Sequence, residues 1–136
     1  MKSVDINSML EKALGTKQVT PAFVYGVEVG ELAGDVVVSL ETGHVVSVQG
    51  KNPEVLRFCL DAHFAKVYQA HYARFDPYAL LTLSADHTFA LWTAASQILR
   101  IKIKLDAHPN ACLTLASNKV ILGDVTPDLK IYDLPD

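Results

Sequence analysis

Alternation of apolar and polar residues in the second half of the chain predicts short β-strands. In residues 99–105 the apolar side chains lie on one face, while Arg100, Lys102 and Lys104 lie on the other. Similar short apolar runs occupy residues 79–83, 88–92, 111–115, 120–122 and 129–132. Because turns separate these runs at near-even intervals, the pattern predicts an antiparallel meander.

The first half of the chain contains a clear hairpin, formed by residues 35–40 and 44–48. Residues 41–43 form its loop, in which Gly43 supplies the left-handed conformation that closes a three-residue turn. This register places four valines on one face, namely Val36, Val38, Val46 and Val48. A two-residue loop would mix polar residues into that face, so the three-residue loop is favoured. Residues 22–29 are a further strand candidate.

The N-terminal segment shows helical spacing instead. Residues 4–14 carry apolar side chains at near-helical intervals, with Asp5 or Ser3 as the N-cap and Gly15 as the stop. We therefore expect a short helix and a polar joint in residues 1–20, followed by one β-rich domain in residues 21–136.

Residues 50–75 fit two interpretations. Asn52-Pro53-Glu54 resembles a helix start, and the apolar stripe that follows favours a helix over residues 53–60. Beyond it, residues 61–63 read equally well as a turn, with residues 66–74 as a strand. The expected class is mainly β; the alternative is an α+β domain with a central helix over residues 52–75 against an antiparallel sheet.

Composition narrows the classes of partner. Half of the 136 residues are apolar, a fifth are charged, and the net charge is −3, which gives no basis for a nucleic-acid or membrane surface. No apolar run approaches the roughly 18 residues of a membrane helix, and no signal peptide is recognisable. Cys59 and Cys112 lack metal-type spacing and are expected to be free thiols, which predicts a cytoplasmic or otherwise intracellular location.

Two stretches of the chain resemble each other. Asp61-Ala62-His63 is followed by an apolar strand pair that ends at Trp92, and Asp106-Ala107-His108 is followed by a pair that ends at Tyr132. A period of about 40–45 residues with a closing aromatic is typical of four-stranded propeller blades.

These residues resemble the WD-repeat β-propeller family. Asp86-His87-Thr88-Phe89-Ala90-Leu91-Trp92 is similar to the strand that ends a repeat, and residues 129–133 match the end of that strand. The resemblance implies about two to three degenerate repeats, over residues 21–60, 61–105 and 106–136, with the first blade short or broken. It also implies a non-catalytic protein-interaction scaffold that needs no cofactor.

The resemblance also implies a structural network of side chains. Its members would be His63, Thr82 or Ser84, Asp86 and Trp92, with His108 and Tyr132 in the second copy. A buried indole N–H needs an acceptor, and a buried imidazole needs partners for both nitrogens. The second copy departs from the pattern, because Thr126 stands at the Asp position and leaves Asp124 or Asp128 as a substitute.

Catalytic and ligand-binding alternatives have less support in the sequence. Cys59 and His63 are too few for a metal site, and Ser84, Asp86 and His87 lie on one turn rather than converging from separate elements. A small enzyme using His63 or His87 is the second alternative function. Arg100, Lys102 and Lys104 form a candidate ligand patch, which is more simply explained as a solvated strand face.

An open arc of about two and a half blades would leave strand edges and apolar faces uncovered. The chain is therefore expected to need a protein partner, self-association or further residues to complete it. The alternative α+β domain would act as a homodimeric regulatory module of the roadblock type, a likeness of fold only.

Overall fold

A computed structural model describes residues 1, 3–17, 21–30 and 34–135. Apart from helix α1 (Ile6–Leu14), every regular element in this part of the chain is an antiparallel β-strand. The prediction of a mainly β chain with a short N-terminal helix is confirmed. Residues 18–20, at the end of the expected joint, lie outside the described residues.

Helix α1 begins and ends as its capping residues dictate. The Asp5 carboxylate accepts hydrogen bonds from the Ser8 N–H at 3.1 Å and the Ser8 hydroxyl at 2.9 Å. Gly15 ends the helix with a φ of 73°, which a residue without Cβ adopts at no steric cost. The helix is too short and too polar to cross a membrane, and the described residues contain no other helix.

The strands form three antiparallel sheets in chain order. The first sheet contains β1 (Val24–Val29), β2 (Val36–Leu40), β3 (His44–Val48) and β4 (Leu56–Asp61). The second contains β5 (Val67–Ala73), β6 (Asp76–Ser84), β7 (Thr88–Thr93) and β8 (Ile98–Lys104). The third contains β9 (Pro109–Leu115), β10 (Lys119–Asp124) and β11 (Leu129–Asp133). Each sheet is a simple meander, so neighbours in the chain are neighbours in the sheet.

The β2–β3 hairpin has the expected register. Val36 pairs with Val48 and Val38 with Val46, across a turn in which Gly43 has a φ of 92°. The Gly43 carbonyl accepts the backbone N–H groups of Ala62 and His63 at 3.2 and 3.0 Å. A Cβ at Gly43 would collide with the His63 carbonyl, so this glycine also permits the close approach of the loop after β4.

The helix expected over residues 53–60, and with it the alternative helix over residues 52–75, is wrong. This segment contains strands β4 and β5. Phe58 and Leu60 alternate into the core at period two, whereas Phe64, on the same helical stripe, is 96% exposed. Because β4 supplies a fourth strand, the first sheet is complete, and the expectation of a short or broken first blade is also wrong.

The sheets stack face to face around three apolar clusters. Val37, Val45 and Leu60 of the first sheet pack against Leu80, Trp92 and other residues of the second. Leu83 and Phe89 of the second sheet pack against Val120 and Leu122 of the third. On the remaining face of the first sheet, α1 covers β2 to β4, and its Leu10 is 0% exposed among Val38, Leu40 and Val46. Val27 and Val29 of β1 lie on the same face and stay 64% and 70% exposed.

Candidate functional site

A chain of hydrogen bonds joins four side chains that the sequence singled out. The Trp92 Nε1–H donates to Thr82 Oγ1 at 3.0 Å, and Thr82 Oγ1 lies 2.7 Å from His63 Nε2. His63 Nδ1 lies 3.0 Å from Asp86 Oδ2. With the ring proton on Nδ1, the Thr82 hydroxyl donates to Nε2, and every group in this chain has a partner.

The turn between β6 and β7 holds the carboxylate of Asp86 in place. Asp86 accepts from the N–H and hydroxyl of Thr88 and from the backbone N–H of Phe64 at 3.2 Å. Ser84 lies outside the His63–Trp92 chain: its hydroxyl donates to the Lys66 carbonyl and accepts the Asp86 N–H. The carboxylate thus ties the turn to the loop after β4.

Burial sets the protonation of this network. His63 is buried, and loss of hydration lowers its pKa below the ordinary value, although the Asp86 carboxylate opposes that effect. Burial works to raise the pKa of Asp86, but the hydrogen bonds from Thr88, the interaction with His63 and the Phe64 N–H together lower it. The network is therefore a neutral imidazole beside a carboxylate at neutral pH.

The free energy of unfolding is expected to fall as the pH drops below 6.5. Burial lowers the pKa of His44, His63 and His71, so the unfolded chain takes up these protons first and is stabilised. A second loss is expected between pH 3.8 and about 2, because the pKa of Asp124 is lowered to about 2. Urea unfolding at pH 7.5, 5.0 and 3.5 tests this sign. Equal or greater stability at pH 5.0 than at pH 7.5 would contradict it.

The third sheet does not repeat the histidine network. His108 Nε2 lies 2.9 Å from the Tyr68 hydroxyl, and its Nδ1 lies 3.3 Å from His87 Nε2. The ring of Tyr132 packs edge-on against Phe89 instead, with centroids 5.2 Å apart. His108 and Tyr132 are therefore not brought together.

Apolar residues occupy the corresponding place in the third sheet. The Leu105 N–H donates to the His87 carbonyl in the β6–β7 turn of the second sheet. The N–H groups of Ala62 and His63 donate to Gly43 in the β2–β3 turn of the first sheet in the same way. Leu105 is buried with Leu122 in one cluster.

Asp124 takes the position of Asp86 in the last turn. Its carboxylate accepts the Thr126 N–H at 2.9 Å and the Thr126 hydroxyl at 2.5 Å, as Asp86 does with Thr88. Lys130 Nζ lies 2.7 Å from the other oxygen, and the Asp124 side chain is 2% exposed. The hydrogen bond from Lys130, with those from Thr126, lowers the pKa of Asp124.

The geometry does not support a catalytic role for His63 or His87. His63 is buried and both of its ring nitrogens are engaged, which leaves no nitrogen for proton transfer to a substrate. His87 has a φ of 67° and points to His108, while the Ser84 hydroxyl points to backbone carbonyls. Across the described ranges, no group of three or more His, Cys, Asp or Glu side chains could hold a metal ion.

The candidate ligand patch on β8 divides into two parts. Arg100 is engaged, with its guanidinium 2.6 Å from Asp76 and 2.7 Å from the Thr93 hydroxyl. Lys102 lies over the exposed ring of Phe64, 5.6 Å from its centroid, and Lys104 is exposed. The Lys102 ammonium donates to the Ala62 carbonyl but, like Lys104, forms no ion pair within the described ranges, and its aromatic neighbour Phe64 was not indicated by the sequence.

The inner strands of the three sheets line a common open cleft. β1, β5 and β9 bound this space of about 610 Å³, with Glu28, His71 and Arg74 among its lining residues. Reciprocal hydrogen bonds tie two of these strands together, from the Cys112 N–H to the Gln69 side chain and from the Arg74 N–H to the Thr114 hydroxyl. β1, β5 and β9 therefore lie next to one another, with β5 between the other two.

The outer face of the third sheet is largely apolar and exposed, apart from the Lys119–Asp133 ion pair at one end. Ile121 pairs with Leu113 on one side and Ile131 on the other, so these side chains share the face that points away from the second sheet. The exposed apolar residues of β9 and β11 are Leu113, Leu115, Leu129 and Ile131. In addition, β11 is an edge strand with no fourth strand beside it among the described residues. The sequence predicted uncovered apolar faces and strand edges but not which sheet carries them, because an alternating strand has the same pattern whether its apolar face is covered or not.

Comparison with known proteins adds a likeness of fold. No protein-family model and no curated protein sequence matches the chain. Among solved structures, the chain is similar to one in the crystal structure of the mitotic checkpoint complex, with a TM-score of 0.71 and 14% identity. The match covers 88% of this chain and 38% of that one. At this identity the likeness concerns the fold alone, and three stacked antiparallel sheets are consistent with propeller blades.

Proposed function

We propose that this chain is a non-catalytic protein-interaction scaffold of WD-repeat type, built as an open arc of propeller blades. The His63, Thr82, Asp86 and Trp92 side chains act in it as a structural lock within the second blade. The hydrogen-bonded chain from the indole to the carboxylate supports this structural role. The similarity to a chain in the mitotic checkpoint complex supports the proposal of a protein-interaction scaffold.

The difference between the two ends of the arc carries the proposal. At one end α1 covers β2 to β4 of the first sheet, where Leu10 is fully buried, and leaves Val27 and Val29 of β1 exposed on that face. At the other end the third sheet leaves comparable apolar side chains in water and presents the open edge of β11. Contiguous exposed apolar surface of this kind marks a protein contact, and an open strand edge adds main-chain donors and acceptors. The arc therefore binds protein through its third sheet.

The two free thiols support the proposal of a reducing compartment for the scaffold. Cys59 and Cys112 form no disulfide, and burial raises their pKa to about 11 and about 12 respectively. Both therefore stay protonated and poorly reactive at neutral pH. This fits a cytoplasmic or other intracellular setting as part of the proposal.

Self-association of the isolated chain is expected to weaken about tenfold or more in the Ile131→Lys variant. Ile131 is 58% exposed on the uncovered face, and a lysine there would place a charge in any contact that buries it. Sedimentation velocity over a concentration series measures the association constant of each variant.

The matched control is Ile98→Lys on β8. Ile98 is 59% exposed, so the change in surface chemistry is the same, but the residue lies outside the third sheet. This variant is expected to associate as the unmodified chain does. If both substitutions weakened self-association equally, the third sheet would not be the contact surface.

A further inference from the structure

The geometry points to a second contact surface, formed by Phe64, Lys102 and Lys104, that binds an extended acidic peptide segment with an apolar anchor residue. The inference rests on the proposed function only in treating the chain as a binding module, since the surface belongs to the second sheet. We call these three residues the Phe64 surface.

Phe64 is an exposed aromatic on a fixed loop. Its side chain is 96% exposed, yet its backbone N–H donates to Asp86 Oδ2 at 3.2 Å. The neighbouring His63 is anchored at both ring nitrogens, and its N–H donates to Gly43. An aromatic ring whose backbone is already ordered loses little conformational freedom on binding, which favours its use as an anchor.

One lysine lies beside this ring, and a second lies two residues further along the same strand face. Lys102 Nζ lies 5.6 Å from the ring centroid and donates to the Ala62 carbonyl at 3.3 Å, so its ammonium is held beside Phe64. Lys104 lies two residues further on the same face of β8, and it forms no ion pair with any residue in the described ranges. Arg100, the third cation of the strand, is neutralised by Asp76 and contributes no free charge.

The spacing of these groups defines the ligand. Side chains two residues apart on one strand face are separated by about 7 Å, the interval between alternate side chains of another extended chain. Carboxylates at alternate positions of a bound segment would therefore meet Lys102 and Lys104. An apolar side chain beside them would pack on the Phe64 ring. The binding partner is thus a peptide segment of alternating acidic residues with a flanking apolar residue.

Selection of a random peptide display library against the purified chain tests this assignment. The chain carries Ile131→Lys during selection, which weakens contacts at the third sheet. Recovered peptides are expected to have Asp or Glu at alternate positions next to an apolar residue. Their affinity, measured by fluorescence polarisation, is expected to fall at least tenfold in Phe64→Ala and in the Lys102→Glu, Lys104→Glu double variant.

The controls separate this surface from general effects. Tyr78→Ala removes another exposed aromatic, and Lys51→Glu reverses another exposed lysine; neither is expected to change the affinity. Thermal unfolding checks that each variant is folded. Recovery of no peptides, of peptides without acidic bias, or of peptides insensitive to the Phe64 and lysine variants would overturn the inference. None of these results bears on association through the third sheet, which is measured separately by Ile131→Lys.

Discussion

Replacement of His63 by alanine is expected to lower the free energy of unfolding by about 3 kcal/mol. The substitution leaves the Thr82 hydroxyl without its imidazole partner in the core, and it removes one donor from the Asp86 carboxylate. Each buried polar group left unpaired costs about 1–3 kcal/mol, and the vacated ring adds a cavity. Urea unfolding followed by the fluorescence of Trp92, the single tryptophan, measures the change.

Thr82→Val isolates the hydroxyl at the centre of the same network. Valine keeps the shape of the side chain but removes the acceptor of the Trp92 indole N–H and the donor to His63. The expected loss is at least about 2 kcal/mol, because each of the two buried polar groups left without a partner costs about 1–3 kcal/mol.

His44→Ala is the matched histidine control. The His44 side chain is 12% exposed on the first sheet, where its Nδ1 lies 2.9 Å from the Thr42 hydroxyl and its Nε2 lies 3.8 Å from the exposed Asp61. Its removal is expected to cost less than that of His63, because no fully buried polar group loses its partner. If His44→Ala and His63→Ala were equally destabilising, the network around His63 would have no special structural role.

Truncation of Phe89 to alanine is expected to cost about 3–5 kcal/mol. Phe89 is 0% exposed on β7, between the second and third sheets, and its ring packs edge-on against Tyr132. The loss of stability therefore combines the lost burial of a large apolar side chain with a cavity between the second and third sheets. Thermal unfolding is expected to remain a single transition, because the sheets share this cluster and unfold together.

Phe23→Ala provides the matched phenylalanine control. Phe23 precedes β1, and its side chain is largely exposed, so its truncation is expected to change stability by less than about 1 kcal/mol. Two separated transitions already in the unmodified chain, or a loss in Phe89→Ala no larger than that of Phe23→Ala, would mean that the second and third sheets are not coupled through this cluster.

Strands β6, β7 and β8 of the second sheet and the β2–β3 hairpin of the first sheet were predictable because each carries its own signal, whereas β5 was left open between helix and strand. Asp86 and Gly43 mark turns by their side chain or backbone chemistry, and alternation marks the strands on either side. The partners of His63 followed from a resemblance that assigns residue types to positions. Local residue patterns were therefore sufficient to predict strands, turns and the His63 network where these patterns recur in the chain.

Residues 53–60 were misassigned because local and tertiary preferences conflict. Asn52-Pro53-Glu54 satisfies the requirements of a helix start, and Leu56, Leu60 and Phe64 fall on one helical stripe. Pairing with β3 prevails, since it buries Phe58 and Leu60 against the second sheet. The pairing with β3 is not visible in the residues of this segment alone, so only the folded structure reveals it.

The contact surfaces were harder to predict than the network. Exposure of Ile131 depends on whether another layer covers the third sheet, and the alternation of β11 is the same in either case. Phe64 looked like part of an apolar stripe, although its loop turns it into solvent. Burial depends on how the sheets pack together, so the exposure of Ile131 and Phe64 follows only from the folded structure.

The molecular mass of the unmodified chain as a function of concentration tests the open-arc account most directly. Size-exclusion chromatography with light scattering is applied from low micromolar to near-millimolar concentration. The uncovered face of the third sheet predicts a mass that rises above that of one chain as the concentration increases. A well-folded chain whose mass stays that of a monomer at every concentration would contradict the account.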